Sequence, residues 1–329
     1  MMWLMADLFD QNIPFKNRVE EAYSYQLSKN PVYRSFIDAL GMGMDRIPMP
    51  EEIPLLPIRA FKDTRVICTG CSEKLLFKSS STGGEGRSSH VIADPEIYRT
   101  SFRTEFYRHF PEQKYSILVY APGYSQNPDS SLIWMLNDLV MNDPDGLSKF
   151  LPLNKPLSSE TVGVITKAGK KVLLFGAAFG LLDLIELGSD PLPDSSHIIE
   201  TGGMKTHRRE ISKNELRKSL SRGFEIPLSH VHSEYGMCEM QSQCYALGSE
   251  WFGSPHWVKV MIRDPENPLK NCPAGTEGKI GVIDLANVHS CPFILTEDRG
   301  VMNEDGKFRI LGRWSSSNLR GCNFLIDVD

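Results

Sequence analysis

The stretch KKVLLFGAAFGLLDLIEL, residues 170–187, indicates a buried strand that runs into a helix. Its first half is a continuous apolar run, typical of a strand that is covered on both faces of a sheet. The run is shorter than a membrane span and carries Asp183 and Glu186, so we expect it inside a folded domain. Gly176 and Gly180 form a GxxxG spacing, which here favours tight backbone packing over a helix dimer.

Apolar runs on both sides of this stretch extend the pattern to an α/β fold. They are YSILVYAP (115–122), SHIIETGG (196–203), VKVMI (258–262), GKIGVIDL (278–285), PFILTEDRG (292–300) and KFRILGR (307–313). Between the early runs lie the helical candidates PEIYRTSFRTEFYRHF, SSLIWMLNDLVMN and SKNELRKSLSRGF. This alternation predicts βαβ units around a mostly parallel sheet, followed by a β-rich C-terminal part.

The amino-terminal region is predicted to be helical. The segment from Phe15 to Leu40 has helical spacing that is interrupted at Pro31, which indicates two helices. The proline-rich PMPEEIPLLPIRAF then reads as an extended crossing. We therefore expect a helical region at 1–60 packed on the core, an α/β nucleotide-binding core at 61–250 and a β-rich subdomain at 251–329.

Composition is typical of a globular protein and narrows the function classes. The 329 residues are 41% hydrophobic and 23% charged, with a net charge of −5. A net negative chain gives no electrostatic reason to expect nucleic acid as a partner. The opening MMWLMADLFDQNIPFKNR lacks the basic start and long apolar core of a secretory signal. We expect a cytoplasmic protein without a membrane span.

Seven cysteines are spread along the chain without a framework pattern, which favours reduced thiols. The CTGC stretch places Cys68 and Cys71 at CxxC spacing. A zinc or redox site is one interpretation, but structural zinc normally needs four ligands. Two buried thiols are the alternative.

The loop FKSSSTGGEGRSSH, residues 77–90, is rich in hydroxyls and glycine. Glycines allow the backbone to approach a ligand, and hydroxyls with exposed amides suit phosphate oxygens. The stretch lacks the GxxxxGK[ST] pattern of a Walker loop. By itself, it is weak evidence for a ligand site and favours a solvated surface loop.

Three later motifs give this loop a context. SEYGMCEM (233–240), LTEDRG (295–300) and ILGR (310–313) follow it in that order. Together with SSSTGGEGR, they resemble the signature of adenylate-forming enzymes, which activate a carboxylic acid with ATP as an acyl-adenylate. APGYSQNPDSSLIWMLNDLV, ETGGMK and the terminal LRGCNFLI look like the acyl-protein synthetase branch, the family of the long-chain fatty acid luciferin-component ligase. The resemblance implies the N-terminal-domain fold of the superfamily without its mobile C-terminal domain.

The resemblance also implies roles for individual residues. ATP phosphates would be held by a loop comprising Ser79, Ser80, Ser81, Thr82, Gly83, Gly84 and Arg87. The adenine would lie beside Gly202, Gly203, Tyr235 and Gly236. Glu239 matches the acid that holds Mg²⁺, Asp298 matches the aspartate that binds the ribose hydroxyls, and Arg313 supports ribose and phosphate. Asp298 and Arg313 are also consistent with a simple ion pair.

Two cysteines stand out against the family pattern. Cys238 lies where the superfamily has threonine, whose hydroxyl would contact phosphate, and a thiol is a weaker hydrogen-bond donor. Ser81, Gly83 and Glu297 also depart from the usual residues. Cys322 matches the cysteine near the carboxyl terminus on which family members are acylated. A buried structural cysteine is the alternative for Cys322.

These residues predict an ATP- and Mg²⁺-dependent acyl-protein synthetase. It would activate a carboxylic acid, in the family a fatty acid, and pass the acyl group to a protein thiol or to a partner such as an acyl reductase. Two alternatives stay open: a non-catalytic homologue that binds nucleotide or acyl groups, and a coenzyme A ligase of the phenylacetate type. For His90 we expect contact with phosphate or the acyl carboxylate, and for His230 and His232 structural or substrate-pocket roles.

Overall fold

The computed structural model describes residues 5–42, 46–79, 87–122, 128–202 and 211–314. The helices in these ranges are α1 (Met5–Leu8), α2 (Phe15–Lys29), α3 (Pro31–Ala39), α4 (Ala60–Asp63), α5 (Pro95–His109), α6 (Ser131–Met141), α7 (Ser159–Lys167), α8 (Ala178–Glu186) and α9 (Lys213–Gly223). The strands are β1 (Leu56–Pro57), β2 (Leu75–Lys78), β3 (Ser89–Ile92), β4 (Tyr115–Tyr120), β5 (Lys149–Phe150), β6 (Lys171–Ala177), β7 (His197–Thr201), β8 (Val231–Tyr235), β9 (Cys244–Ala246), β10 (Val258–Arg263), β11 (Gly278–Asp284), β12 (Phe293–Met302) and β13 (Phe308–Arg313).

The first sheet forms around the predicted strand and helix at residues 170–187, which are β6 and α8. Its strand order is β5-β4-β6-β7-β8-β9, parallel from β5 to β8, with β9 antiparallel at the edge. Helices α5 and α6 cover one face, and α7, α8 and α9 cover the other. The predicted α/β fold with a mostly parallel sheet is confirmed.

The GxxxG spacing serves backbone packing, as predicted. A Cβ atom on Gly176 would overlap the carbonyl oxygen of Tyr120 on the neighbouring strand β4. A Cβ on Gly180 would lie 2.6 Å from Cδ of Pro122. Only glycine therefore allows the start of α8 to approach the end of β4 this closely.

The second sheet contains the predicted β-rich C-terminal strands. Strands β10, β11, β12 and β13 pair antiparallel in sequence order, and β1 joins β12 in parallel. Helices α2 and α3 pack on this sheet, where the Tyr33 ring lies 5.3 Å from the Phe293 ring. The two helices meet at the predicted break, because the Asn30 side chain accepts hydrogen bonds from the amides of Val32 and Tyr33.

Short connections join the two sheets and the β2–β3 hairpin. The amide of Phe252, which follows β9, donates to the carbonyl of Phe308 on β13 at 2.7 Å. The hairpin pairs Phe77 with His90 and carries the candidate phosphate loop between its strands. This arrangement brings the end of β8, the start of β3 and the paired residues Asp298 and Arg313 of β12 and β13 to one region of the molecule.

The two CxxC thiols lie near an amide and an imidazole of other segments. Cys68 is buried, where Gln26 Nε2 lies 3.4 Å from its sulfur, and the Cys71 sulfur lies 3.6 Å from His289 Nδ1. Across the described ranges, no three His, Cys, Asp or Glu side chains are placed to hold a metal ion. Nor does any helix in those ranges have the length and apolar character needed to cross a membrane.

We expect Gly176→Ala to lower the free energy of unfolding by about 2 kcal/mol or more, because the added methyl group overlaps a backbone oxygen that cannot move freely. Gly163→Ala in α7 is the matched control, since no described atom outside its chain neighbours and its own helix backbone lies within 4 Å of its Cβ position. That change should raise the stability by up to about 1 kcal/mol. Urea unfolding measures both, and equal effects would contradict the packing argument.

Candidate functional site

The candidate site lies at the carboxyl edge of the parallel sheet. Tyr235 is the last residue of β8, and Gly202 follows the end of β7 with a φ of +87°. Asp298 lies on β12, and Arg313 ends β13. Ligands of open α/β sheets bind at this edge because loops diverge there and leave a crevice.

A hydrogen-bonded group connects the two sheets at this edge. The Tyr235 hydroxyl donates to Asp298 Oδ2 at 2.9 Å, and Arg313 Nε donates to Asp298 Oδ1 at 3.0 Å. Tyr235 is only 7% exposed, and its ring packs edge-on against Phe308. The ion pair considered as an alternative for Asp298 and Arg313 therefore exists, and it holds both side chains at the crevice.

The end of β13 depends on a glycine. Gly312 has a φ of +127°, a backbone conformation that other residues rarely adopt. The pairing between β12 and β13 also shifts by one residue between Arg299 and Gly300. The irregular pairing returns Arg313 opposite Asp298, where the guanidinium reaches the carboxylate.

Three hydrogen bonds close the neck of the candidate phosphate loop. Ser79 N donates to Ser88 O at 3.0 Å, and Ser88 N donates to Ser79 Oγ at 2.9 Å. Arg87 Nε donates to Ser79 O at 2.7 Å. The loop thus leaves from a fixed base, while Ser80, Ser81, Thr82, Gly83 and Gly84 lie outside the described residues.

Glu239 is a buried carboxyl group beside this neck. It is 5% exposed, and burial raises the pKa of Glu239, while a hydrogen bond from Ser88 and the charge of Arg313 oppose that rise. A carboxylate in such a setting gains from a nearby cation. Mg²⁺ prefers oxygen ligands and commonly takes one or two carboxylates together with substrate phosphates. Glu239 therefore fits the predicted Mg²⁺ ligand.

Cys238 lies next to Glu239 with a thiol that stays protonated at neutral pH. Burial raises the pKa of the Cys238 thiol well above 9, and the charge of Glu239 adds to this, while Arg87 opposes it. The side chain packs against the aromatic cluster on the α5 side of the sheet. Without a thiolate, Cys238 is a weak nucleophile in this state.

A buried network that the sequence did not reveal fixes the main chain at Cys238 and Glu239. His90 Nδ1 lies 2.8 Å from Cys238 O, and its Nε2 lies 2.9 Å from Asn287 Oδ1. Asn287 Nδ2 in turn donates to Glu239 O at 2.8 Å and to Cys291 O at 2.9 Å. Burial lowers the pKa of His90 to about 4, although both hydrogen bonds favour the protonated ring. His90 therefore contacts protein oxygens with both nitrogens and holds the site rather than facing it.

The other predicted histidines lie at the opposite end of the sheet. His232 is the second residue of β8, and its Nε2 lies 2.8 Å from Nδ1 of His197, the first residue of β7. The rings of His197 and His230 are stacked with centroids 4.2 Å apart. Burial lowers the pKa of His232 to about 3, so it stays neutral. Of the two roles that we expected for His230 and His232, this position supports the structural one.

Gly203 and Cys322 lie outside the described residues, like the centre of the phosphate loop. The predicted site residues that are described fall into two groups at one edge. The first group lies at the junction of the two sheets and comprises Tyr235, Gly236, Asp298 and Arg313. The second group lies at the neck of the β2–β3 hairpin and comprises Ser79, Arg87, Cys238 and Glu239. The family resemblance had assigned these residues to one nucleotide site. The expected contact of His90 with phosphate or the acyl carboxylate is replaced by contacts with protein oxygens, and Asn287 carried no recognisable signal in the sequence.

Comparisons with known proteins agree with these motifs. The profile of the family described as Acyl-protein synthetase, LuxE, matches residues 163–328. The Long-chain-fatty-acid–luciferin-component ligase of Vibrio harveyi is 22% identical over 326 residues, which cover 92% of this chain and 85% of that protein. The motifs, the family profile and this relative thus all indicate an acyl-protein synthetase.

Solved structures share the fold. A 2-hydroxyisobutyryl-CoA ligase in the postadenylation state matches with a TM-score of 0.65 at 14% identity, over 91% of this chain and 67% of that one. ATP-bound MatB from Rhodopseudomonas palustris matches with a TM-score of 0.53 at 16% identity, over 72% of this chain and 47% of that one. The chain thus spans about half the length of MatB. At these identities, the likeness shows the adenylate-forming fold.

We expect Asn287→Ala to lower the free energy of unfolding by about 3 kcal/mol, because the change leaves several buried polar groups without partners. Asn142→Ala is the control, since its half-buried amide contacts only Tyr107 and Glu112 among the described residues. That control should cost about 1 kcal/mol or less. Thermal and urea unfolding compare the two, and a similar loss for both would contradict the network's role.

Proposed function

Because the chain belongs to the acyl-protein synthetase family, we propose that it activates a carboxylic acid with ATP as an acyl-adenylate and passes the acyl group to a protein thiol. The observation that carries this proposal is the group formed by Tyr235, Asp298 and Arg313 at the carboxyl edge of the sheet. It combines an aromatic ring, a carboxylate and a guanidinium at the place where the fold binds ligands. These are the chemical groups that adenine, ribose hydroxyls and phosphate require.

In this proposal, each described residue has one task toward the nucleotide. Tyr235 and the backbone at Gly202 border the adenine, and Asp298 accepts hydrogen bonds from the ribose hydroxyls. Arg313 approaches the ribose and the α-phosphate from the other side of Asp298. Tyr235 is already hydrogen-bonded to Asp298, so the carboxylate is oriented before the nucleotide arrives.

Arg87, Glu239 and the loop serve the triphosphate. Bound Mg²⁺ would neutralise phosphate charge, and Glu239 is the residue that would hold it. Arg87 lies at the neck of the loop, where its charge also stabilises the departing pyrophosphate. Ser79 to Gly84 would contribute hydroxyls and backbone amides to the β- and γ-phosphates.

The adenylation step needs no general base. A carboxylic acid is ionised at neutral pH, so its oxygen attacks the α-phosphorus directly. A new bond forms between this oxygen and phosphorus, and the bond from phosphorus to pyrophosphate breaks. Positioning and charge neutralisation therefore account for most of the rate enhancement.

Cys322 is the proposed acceptor for the second step. Its sulfur, as thiolate, attacks the acyl carbonyl, the bond to the phosphate oxygen breaks and AMP leaves with the electron pair. Arg320 is two residues away in sequence, and a nearby guanidinium lowers a thiol pKa. The resulting thioester keeps the acyl group activated for a partner, which we propose to be an acyl reductase.

The relative from Vibrio harveyi, by its name a ligase for long-chain fatty acids, supports an aliphatic acid as substrate. The rival proposal of a non-catalytic binding homologue rests on Cys238 in place of the usual threonine. Carboxylate-dependent exchange of pyrophosphate into ATP distinguishes the two, because a non-catalytic homologue gives no exchange with any acid. Acid-dependent thioester formation on free coenzyme A would instead favour the coenzyme A ligase.

We expect Asp298→Asn to raise the Kd of AMP at least about tenfold, because a charge-assisted hydrogen bond to the ribose becomes a weaker neutral one. Asp305→Asn, on the exposed turn of the same hairpin, is the matched control and should leave the Kd unchanged. Isothermal titration calorimetry measures both variants. An unchanged Kd for Asp298→Asn would remove Asp298 from the nucleotide site.

We expect the wild-type protein incubated with ATP, Mg²⁺ and a fatty acid to gain the mass of one acyl group. Cys322→Ser should abolish this adduct while retaining pyrophosphate exchange, because only the acceptor is lost. Cys272→Ser removes a half-buried thiol elsewhere and should keep the adduct. Intact-protein mass spectrometry gives the result, and an adduct that persists in Cys322→Ser would refute the assignment.

A further inference from the structure

Three adjacent strands place polar side chains in one row beside the candidate active site. Thr201 on β7 pairs with Glu234 on β8, and Glu234 pairs with Tyr245 on β9. Residues paired across strands share a face of the sheet. Gln243, two residues before Tyr245, extends the row. We call Thr201, Glu234, Gln243 and Tyr245 the polar row.

The polar row lies on the face opposite the nucleotide group. Successive side chains of a strand point to opposite faces, so Glu234 points away from the side on which Tyr235 meets Asp298. On its own side, Tyr245 belongs to the aromatic cluster on α5, and its ring packs against those of Phe106 and Phe110. Cys238 packs against the same cluster. In an acyl-adenylate the nucleotide and the acyl chain extend from one phosphate, so this second face is suited to the acyl group.

Two buried polar atoms of the row have no hydrogen-bond partner among the described residues. They are the Tyr245 hydroxyl and Gln243 Oε1, in residues that are only 2% and 4% exposed. Buried polar groups in native proteins are nearly always hydrogen-bonded, so two such atoms in one row require an explanation. One explanation is a ligand that binds beside the polar row and supplies the missing hydrogen bonds.

Glu234 shapes the row at the end nearest the reacting groups. Thr201 Oγ1 donates to Glu234 Oε2, and a Cβ atom on Gly236 would lie 2.7 Å from Glu234 Oε1. Gly236 therefore leaves Glu234 room beside the turn that leads to Cys238. Burial raises the pKa of Glu234 to about 7, so a large fraction of the carboxyl groups is neutral at neutral pH. A neutral carboxyl group avoids repelling the carboxylate of an incoming acid.

We propose that the polar row is a specificity subsite for an acid that carries a hydroxyl group close to its carboxylate. This inference rests on the proposed adenylation and refines its substrate class. A hydroxyl group can both donate and accept, so it offers the kind of partner that Gln243 Oε1 and the Tyr245 hydroxyl each lack. An unsubstituted alkyl chain leaves both unpaired, and sites with unpaired buried polar groups discriminate against such analogues.

The test compares octanoate with 2-hydroxyoctanoate and 3-hydroxyoctanoate in pyrophosphate exchange. For the wild type, we expect kcat/KM for the better hydroxy acid to exceed that for octanoate at least about tenfold. Tyr245→Phe keeps the ring and removes only the hydroxyl, so it should reduce the preference to about threefold or less. An unaltered preference in this variant, or a wild-type preference for octanoate, would overturn the inference.

Ser233→Ala is the matched control for Tyr245→Phe. Ser233 lies on the same strand but on the opposite face, where its hydroxyl donates to Glu200. Ser233→Ala should leave the ratio of kcat/KM for the hydroxy acid to kcat/KM for octanoate unchanged, even if the variant is less stable. A control that lowers the ratio as much as Tyr245→Phe would show that the preference does not arise in the polar row.

A binding measurement separates this inference from the proposed function. Exchange with octanoate but not with either hydroxy acid would support adenylation and refute the subsite. If no acid gives exchange, calorimetric titration of the same acids in the presence of a non-hydrolysable ATP analogue tests the subsite by binding alone. Tighter binding of a hydroxy acid that Tyr245→Phe abolishes would support the subsite even though adenylation had failed. Equal binding, or no binding of any of the acids, would refute the subsite.

Discussion

The alternation of side chains along β8 determines where each part of the candidate site lies. Tyr235 points toward the second sheet and meets Asp298, whereas Glu234 points toward α5 and meets Thr201. A shift of one residue in strand register would exchange these two side chains and destroy both contacts. The parallel pairing of β7 and β8 fixes that register, so the proposed nucleotide side and the proposed acyl side depend on the same backbone hydrogen bonds.

A buried amide and a buried imidazole connect this strand end to the rest of the molecule. Asn287 and His90 hold the carbonyl groups of Cys238 and Glu239, and they come from segments almost 200 residues apart in sequence. The same contacts place the neck of the phosphate loop beside Glu239, since His90 pairs with Phe77 in the β2–β3 hairpin. The neck of the candidate phosphate loop and Glu239, the proposed Mg²⁺ ligand, are therefore positioned together by one network.

Sequence patterns predicted the elements that bury apolar side chains in a regular period. The strand and helix at 170–187 and the two helices separated at Pro31 agree with the structure. Strand β8 was not predicted as an apolar run, because VHSEY contains mostly polar residues, although all five are buried. Their partners come from neighbouring elements: Glu200, with Lys213 beside it, binds Ser233, and Thr201 binds Glu234. Helix α7 was also missed, because Gly163 and several β-branched residues lower its intrinsic helix propensity.

Periodic apolar burial and short motifs are local properties of the chain, so the fold class and the motif residues could be predicted from the amino-acid sequence. The family resemblance carried by their motifs predicted that Tyr235, Asp298 and Arg313 serve one nucleotide site. The tertiary structure alone decided that Asp298 accepts from both of the others and that His90 is buried in the network with Asn287. It also decided that Glu234, Gln243 and Tyr245 share a polar row with Thr201, because strand pairing between distant segments sets which side chains become neighbours.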